Sequence, residues 1–160
     1  KTVLNPLRSD AAVAELAASG IEGAISTAHP EWRAQVKAAL GEGKIRAAID
    51  SIGGKASGDL SMLVAPGGQL VAFGSMSGEP MHLETGPFIF KQVTLEGFWL
   101  SKQNQPAPEK WKAMVGELVK LAATGVLDLP VSKVVPLAQA REAVVAAVSA
   151  NRGGKVVFSP

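Results

Sequence analysis

The strongest constraint in the sequence is an alternation of short apolar runs with helix-forming segments, which continues as far as Gly78. Runs of this kind, separated by helical segments of about a dozen residues, are typical of parallel β-α-β units whose sheet is covered on both faces. The chain is therefore predicted to be an α/β protein with a parallel sheet. The predicted strands are Thr2–Asn5, Ala24–Thr27, Ile45–Ile52 and Leu70–Phe73, with helices that begin at Ser9-Asp10, begin at Pro30, and run through Leu60 and Leu63.

The pattern changes beyond Gly78. Two segments there, Met81–Leu83 and Phe88–Leu100, are rich in β-forming residues, and no helix is predicted between them. Helix and strand patterns then alternate again to the end of the sequence. The predicted elements are a helix from Pro106 to Thr124 with Trp111, Val115, Leu118 and Ala122 on one stripe, a strand at Val131–Val135, a helix at Ala138–Ala150 and a last strand within Gly154–Pro160.

Composition excludes several kinds of function. The 160 residues include no Cys, which removes disulfides, thiolate zinc sites and thiol nucleophiles. A net charge of +2 is too small to indicate nucleic-acid binding. No apolar run approaches the roughly 20 residues of a membrane-spanning helix, and no signal peptide is visible. A soluble, cytoplasmic protein is predicted, and a first residue other than Met suggests part of a longer chain.

Few side chains are suited to acid, base or metal chemistry. His29 and His82 are far apart in the sequence and have no nearby acidic cluster, so a structural or surface role is expected for each, and no metal site is predicted. The chain also has no Tyr, which removes one common proton donor. The helical carboxylates are interpreted as solvated faces; they are Glu15, Glu31, Glu109 and Glu117.

Three predicted strands end in residues suited to ligand binding. The segments are Asn5–Asp10, Ser51–Lys55 and Phe73–Met76, and the last two contain glycines that let a backbone approach a ligand closely. In open parallel sheets, ligands bind in the crevice at the carboxyl ends of the strands. A ligand crevice is therefore predicted at this edge, although each glycine taken alone is also explained as an ordinary turn former.

Arg8 indicates which ligand. At the end of the second strand of a dinucleotide-binding sheet, an acidic residue suits the free 2′-hydroxyl of the adenosine ribose, whereas an Arg accommodates a 2′-phosphate. Arg8, with the Ser9 hydroxyl beside it, favours NADPH over NADH, the alternative being a solvent-facing Arg. No G-x-G-x-x-G occurs in the chain. If Thr2–Asn5 is the second strand of such a fold, the first strand and its glycine-rich turn are expected upstream.

With these segments in place, the chain resembles the C-terminal half of the zinc-free medium-chain dehydrogenase/reductases, and in particular the 2-enoyl thioester reductases (trans-2-enoyl-CoA or enoyl-acyl-carrier-protein reductases) and the related quinone oxidoreductases. The run Gly97-Phe98-Trp99-Leu100-Ser101 is the most specific part of the resemblance. The other matching stretches are Asn5-Pro6-Leu7-Arg8, Ser51-Ile52-Gly53-Gly54-Lys55-Ala56-Ser57 and Pro66–Met76.

The resemblance implies a Rossmann-like, doubly wound parallel sheet that lacks its first strand, and it implies roles for individual residues. Arg8, Ser9 and Asp10 would lie at the 2′-phosphate and adenosine ribose of NADP(H). Two strand ends would line the nicotinamide half, and Lys155 would reach the cofactor from the C-terminal part. The residues of those two strand ends are Phe73, Gly74, Ser75 and Met76, then Phe98, Trp99, Leu100 and Ser101.

The resemblance also implies an activity and an assembly. The expected reaction is NADPH-dependent reduction of the C=C bond of an enoyl thioester in fatty acid metabolism, with a quinone as the alternative acceptor. The proton-donating Tyr of the family would lie upstream, so no catalytic residue is expected in this chain, and residues 1–160 alone are expected to be inactive. Residues 1–127 would form part of the NADP-binding domain, and residues 128–160 would return to the catalytic domain. A homodimer is expected through the edge near Gln92–Trp99.

A third hypothesis belongs to a different class of protein. The chain could be a nucleotide-binding or oligomerisation module without catalysis, in which the cofactor only stabilises the assembly. The upstream sequence discriminates between the hypotheses. A domain with a Tyr in its pocket, followed by a strand and a glycine-rich turn, favours the enzyme.

Overall fold

Parallel strands joined by helices make up the chain, as the alternation predicts. The computed structural model describes residues 2–104, 107–149 and 153–160. The strands are β1 (Asn5–Leu7), β2 (Ala24–Ser26), β3 (Ala47–Asp50), β4 (Gln69–Ala72), β5 (Thr94–Gly97), β6 (Val131–Pro136) and β7 (Lys155–Ser159). The helices are α1 (Asp10–Ala18), α2 (Trp32–Leu40), α3 (Gly54–Leu63), α4 (Thr85–Phe90), α5 (Leu100–Asn104), α6 (Pro108–Ala123) and α7 (Ala140–Val148), with a 3-10 turn at Leu137–Gln139.

Every strand pairing among the described residues is parallel, but the strands form three sheets rather than one. β1 pairs with β2, with Leu7 opposite Ser26. β4 lies between β3 and β5, and its residue Leu70 stands opposite Ala48 on one side and Leu95 on the other. β6 pairs with β7, with an irregularity between Val131 and Lys133. The predicted α/β class with parallel pairing is confirmed.

The chain divides into two units, each described separately below. The first consists of Lys1–Ala39 and Trp111–Pro160, and it contains the β1–β2 and β6–β7 sheets. The second consists of Leu40–Lys110 and contains the β3-β4-β5 sheet.

The second unit has a small apolar core between its sheet and helix α3. Leu70 and Val64 are completely buried, and they cluster with Ala48 and Val93. Partly buried side chains pack against this cluster from α3, α4 and the loops; they are Ile45, Leu60, Leu83 and Phe88. Lys91 Nζ donates to the carbonyl oxygens of Met62 (2.7 Å) and Val64 (3.2 Å), which satisfies acceptors that the end of α3 leaves without a helical partner.

The first unit buries fewer side chains. Trp32 and Val36 are the buried residues of α2, and Arg33 lies over the Trp32 ring at 4.7 Å. On the C-terminal sheet, Val135 and Ala143 are buried. Several apolar side chains of this part are exposed instead; they are Val131, Val134, Leu137, Val144, Val145 and Val148.

The first strand lies later in the sequence than predicted. The apolar run suggested Thr2–Asn5, but the strand hydrogen bonds begin at Asn5, whose N–H donates to the Gly23 carbonyl (2.7 Å), and end at Leu7, whose carbonyl accepts from Thr27 (2.7 Å). Pro6 lies within the strand, which is compatible with an edge position because Pro has no N–H to donate. The apolarity of residues 3 and 4 therefore misled the prediction, while Arg8 still follows the strand end.

The prediction for residues 81–100 was wrong in its main point. A helix, α4, occupies Thr85–Phe90, β5 is short, and Leu100 begins α5 rather than ending a strand. Pro87 lies in the first turn of α4, where its missing N–H costs no helical hydrogen bond. The prediction followed the β-forming residues of this segment and therefore missed the helix. Two residues of the segment, Phe88 and Val93, pack in the core.

The remaining predictions differ from the structure mainly at their boundaries. β3 is shorter than Ile45–Ile52, because Ser51 and Ile52 already belong to the following turn. On α6, three of the four stripe residues are partly buried, whereas Leu118 is 45% exposed. Pro106 and Ala150, predicted helix ends, lie outside the described residues. Within the described ranges, no helix is both long and apolar enough to cross a membrane.

Leu70→Ala tests the core of the second unit. Leu70 is fully buried at the centre of the cluster, so its truncation is expected to lower the free energy of unfolding by about 2–5 kcal/mol. Urea unfolding of the full-length protein measures the change. Met62→Ala, which removes a half-exposed side chain of α3, is the matched control and should cost about 1 kcal/mol or less. Equal losses for the two variants would contradict the assigned core.

Candidate functional site

The carboxyl ends of β3, β4 and β5 meet at one edge of the second unit's sheet because the three strands are parallel. The Phe73 N–H donates to the Asp50 carbonyl (2.9 Å), and the Phe98 N–H donates to the Ala72 carbonyl (2.8 Å). These bonds continue the strand pairing into the loops. Phe73–Met76 and Phe98-Trp99, predicted as two parts of one site, therefore lie at the same sheet edge.

Two of these loops are joined through their backbones. The N–H of Met76 donates to the Ser51 carbonyl (3.0 Å), and that of Ser77 donates to the Ile52 carbonyl (2.9 Å). Gly74 allows this close approach, because a Cβ built there would lie only 2.8 Å from the Ser51 oxygen. The course of the Phe73–Ser77 loop thus depends on the turn that follows β3.

A buried carboxylate shapes that turn. Asp50 is the last residue of β3 and is 1% exposed. Its Oδ1 accepts hydrogen bonds from the N–H groups of Ile52 (2.8 Å) and Gly53 (3.1 Å), and its Oδ2 accepts one from the Ser57 hydroxyl (2.6 Å). Gly53 has φ of 80°, a left-handed conformation that favours glycine. Asp50 therefore fixes both the glycine turn and the start of α3.

Apolar side chains at this sheet edge point into solvent. Met76 is 80% exposed and Trp99 is 63% exposed, and Lys102 Nζ lies 5.8 Å from the centroid of the Trp99 ring. Phe73, Phe98 and Leu100 are exposed as well. Leu100 and Ser101 lie on α5, which corrects their expected position on a strand end. The edge thus exposes apolar and aromatic side chains, the types that line most ligand sites.

In the first unit, the predicted cofactor residues Arg8, Ser9 and Asp10 follow the end of β1. Ser9 is the N-cap of α1, as predicted: its Oγ accepts a hydrogen bond from the Ala12 N–H (3.2 Å). Asp10 is the first residue of that helix. The Arg8 side chain is exposed. An exposed guanidinium next to a helix N-terminus is a favourable arrangement for an anionic group.

Asp10 has partners on the neighbouring strand and turn. His29 Nε2 lies 2.8 Å and 3.0 Å from the two Asp10 carboxylate oxygens. Hydrogen bonds from the Ser26 hydroxyl and from His29 hold the pKa of Asp10 below its ordinary value of 3.8. Asp10 is therefore a carboxylate near neutral pH.

Two predicted features remain, Lys155 and the expected dimer edge. Lys155 is the first residue of β7, is exposed, and donates its N–H to the Pro130 carbonyl (2.8 Å). In the second unit, β5 is an end strand of its sheet, and all four of its residues are exposed. No contact of either feature with a cofactor or partner is observed here, so their roles stay predictions.

The described part of the chain holds no group of three or more His, Asp or Glu residues that could bind a metal ion. The four helical carboxylates interpreted as solvated are exposed. Zinc independence itself stays a prediction.

Two residues of these sites were missed or undervalued by sequence reasoning. Asp50 was passed over as part of an apolar strand, although an Asp side chain often accepts a hydrogen bond from the backbone N–H two residues on, as Asp50 does from Ile52. His29 was assigned a structural or surface role, and nothing in the local sequence pairs it with Asp10, which is 19 positions away. Only the parallel pairing of β1 and β2 brings their carboxyl ends together.

Asp50→Ala tests the turn that sets the site. Removal of the carboxylate leaves two backbone N–H groups and the Ser57 hydroxyl without their acceptor, at about 1–3 kcal/mol for each group that stays unsatisfied. Chemical denaturation of the full-length protein should show a loss of about 3 kcal/mol or more. Asp50→Asn keeps an acceptor oxygen and should lose less.

The control for this experiment is Asp128→Ala, which removes an exposed carboxylate and should change the stability by about 0.5 kcal/mol or less. An Asp50→Ala protein as stable as the control would refute the assigned role of the carboxylate.

Residues 5–120 match the family model described as zinc-binding dehydrogenase. A curated relative, the mitochondrial enoyl-[acyl-carrier-protein] reductase of Mus musculus, is 35% identical over 115 residues, which cover 71% of this chain and 31% of the relative. The NADPH quinone oxidoreductase of Kluyveromyces marxianus is 32% identical over 87 residues, or 54% of this chain and 23% of the relative.

A solved structure gives the same fold. The mitochondrial 2-enoyl thioester reductase heterodimer of Candida tropicalis matches with a TM-score of 0.81 at 21% identity, over 98% of this chain and 46% of that chain. The chain thus spans less than half the length of the proteins it matches. The family match covers most of its residues. The chain belongs to the zinc-binding dehydrogenase family, as a C-terminal part of the medium-chain dehydrogenase/reductase superfamily.

Proposed function

We propose that the chain is the cofactor-binding part of an NADPH-dependent oxidoreductase that reduces the C=C bond of an enoyl thioester. The main support is the sheet edge of the second unit, where two strand ends that carry exposed aromatic side chains are held by a shared hydrogen-bond network. A site of this kind at the carboxyl ends of parallel strands suits a dinucleotide. The names of the mouse and Candida proteins support the choice of substrate class.

The residues fit a nicotinamide cofactor in their chemistry. The exposed faces of Phe73, Met76 and Trp99 suit an aromatic ring that must be kept from water. Gly74 and Ser75 complete one loop, with Phe98 following the next strand and Leu100 and Ser101 in the helix after it. We assign this group to the nicotinamide half of the cofactor.

The adenosine end is assigned to the first unit. Arg8 is exposed beside the N-terminus of α1, and a guanidinium forms strong, often bidentate bonds with phosphate. Ser9 still has a hydroxyl hydrogen to donate while its oxygen caps the helix. We assign Arg8, Ser9 and Asp10 to the 2′-phosphate and ribose, and Lys155 to a further cofactor contact.

When bound, NADPH supplies the hydride that reaches the β-carbon of the unsaturated thioester. We propose that the proton for the α-carbon comes from a donor outside residues 1–160, as the family resemblance implies. The contribution of this chain is to bind and orient. Apolar side chains at the sheet edge exclude water, and the backbone network fixes the loop on which they are carried.

A quinone is the second candidate acceptor, and it is favoured by the name of the Kluyveromyces relative. We further propose that residues 1–127 belong to the cofactor domain, while residues 128–160 pack on a catalytic domain. The exposed apolar side chains of Val134, Leu137 and Val144 support a covered surface there. A homodimer through Gln92–Trp99 is supported by the open edge of β5. A cytoplasmic location stays a prediction.

Turnover by the full-length protein tests the reaction. NADPH oxidation is followed over a range of crotonyl-CoA concentrations and, separately, over a range of benzoquinone concentrations. The enoyl thioester is expected to be the better substrate by kcat/KM. Preference for the quinone would favour the second candidate, and binding of NADPH without turnover of either acceptor would favour a non-catalytic module.

Arg8→Ala tests the 2′-phosphate assignment. Loss of the guanidinium should weaken NADPH binding about tenfold or more while leaving NADH binding nearly unchanged, because a hydrogen bond to a charged group contributes about 1.5–3 kcal/mol. Titration calorimetry on the full-length protein gives both dissociation constants. Arg141→Ala, which removes an exposed Arg on α7, is the control. An unchanged preference in Arg8→Ala would remove Arg8 from the site.

A further inference from the structure

A histidine–carboxylate contact lies at the carboxyl ends of β1 and β2. His29 Nε2 reaches both oxygens of Asp10, and Asp10 is two residues from Arg8. Because an ionised carboxylate can only accept hydrogen bonds, the ring nitrogen is the donor. The contact joins the start of α1 to the turn between β2 and α2.

The two charged residues beside the strand end favour different cofactors. An acidic side chain here suits the 2′-hydroxyl of NADH, and an Arg suits the 2′-phosphate of NADPH. Arg8 and Asp10 therefore oppose each other, and an unpaired Asp10 carboxylate would repel a phosphate bound at Arg8. The effect of Asp10 on specificity depends on what else holds its oxygens.

The turn that carries His29 is well anchored. The N–H of Trp32 donates to the His29 carbonyl (3.2 Å), and Trp32 is buried. Pro30 restricts the backbone of the residue before it, which is His29. On the strand side, Ser26 is buried, and its Oγ accepts a hydrogen bond from the Ala28 N–H (3.4 Å), in the residue before His29. The imidazole is therefore held toward Asp10 by a fixed backbone.

We propose that His29 is a specificity-determining residue, which favours NADPH over NADH by occupying the Asp10 carboxylate. With both carboxylate oxygens in contact with His29, Asp10 stays beside the ribose but is a poor acceptor for the 2′-hydroxyl of NADH and opposes a 2′-phosphate less. This inference rests on the proposed NADPH-binding function and on the assignment of the 2′ position to Arg8. In this inference His29 does not itself contact the cofactor. It acts by holding Asp10, which lies beside the ribose.

Cofactor affinities of the full-length protein test the proposal. Dissociation constants for NADPH and NADH are measured by titration calorimetry for the wild type and for His29→Ala. His29→Ala should lower the preference for NADPH about fivefold, the size expected for the loss of one exposed hydrogen-bonded contact. His29→Gln keeps an N–H donor and should retain most of the preference.

A second substitution separates the charge effect from a structural one. In Asp10→Asn combined with His29→Ala, no carboxylate opposes the phosphate, so the preference for NADPH should return to the wild-type ratio or above. His82→Ala removes the other, exposed histidine and should leave the ratio unchanged.

The outcomes distinguish a failure of the inference about His29 from a failure of the proposed function. A wild type that prefers NADPH, with the same ratio in His29→Ala, would overturn the role of His29 and leave the proposed function standing. An equal weakening of both cofactors in His29→Ala would also overturn it, since that marks a merely structural residue. A wild type that binds neither nucleotide would refute the proposed function itself.

Discussion

The carboxylate of Asp50 is the interaction on which the second unit's site depends. It accepts three hydrogen bonds inside the protein, and these hold the turn between β3 and α3. The carbonyls of Ser51 and Ile52 in that turn receive the N–H groups of the next loop. The position of Met76 therefore follows from a buried side chain that lies outside the proposed cofactor contacts. A buried carboxylate is tolerated there because donors surround it.

Much of this architecture could be predicted from sequence, because the alternation of apolar strands and helices reports directly on parallel β-α-β units. Strand β4 was placed to within one residue, whereas the predicted end of β3 lay two residues too late, at Ile52 instead of Asp50. The prediction failed where residue preference and context conflict. β-forming residues around Phe88 concealed α4, and the apolar residues before Asn5 drew the first strand too early. Packing and pairing, which involve distant residues, decided both cases.

The residues of the candidate sites also differ in whether the sequence alone could indicate them. Arg8 and the glycine loops could be identified because each carries its signal locally. The Asp10–His29 contact could not, since it exists only when two strands pair in one register.

The two parts of the site use charge in physically different ways. Asp50 is buried, so its hydrogen bonds are strong and a change there affects the stability of the fold as well as the loop it supports. Asp10 and His29 are solvent-accessible, so water weakens their contact and a change there costs the fold little. Under the proposed function, such an exposed pair can adjust which cofactor is preferred at little cost to stability. The proposed discrimination of the 2′ group can then vary while the turn held by Asp50 is preserved.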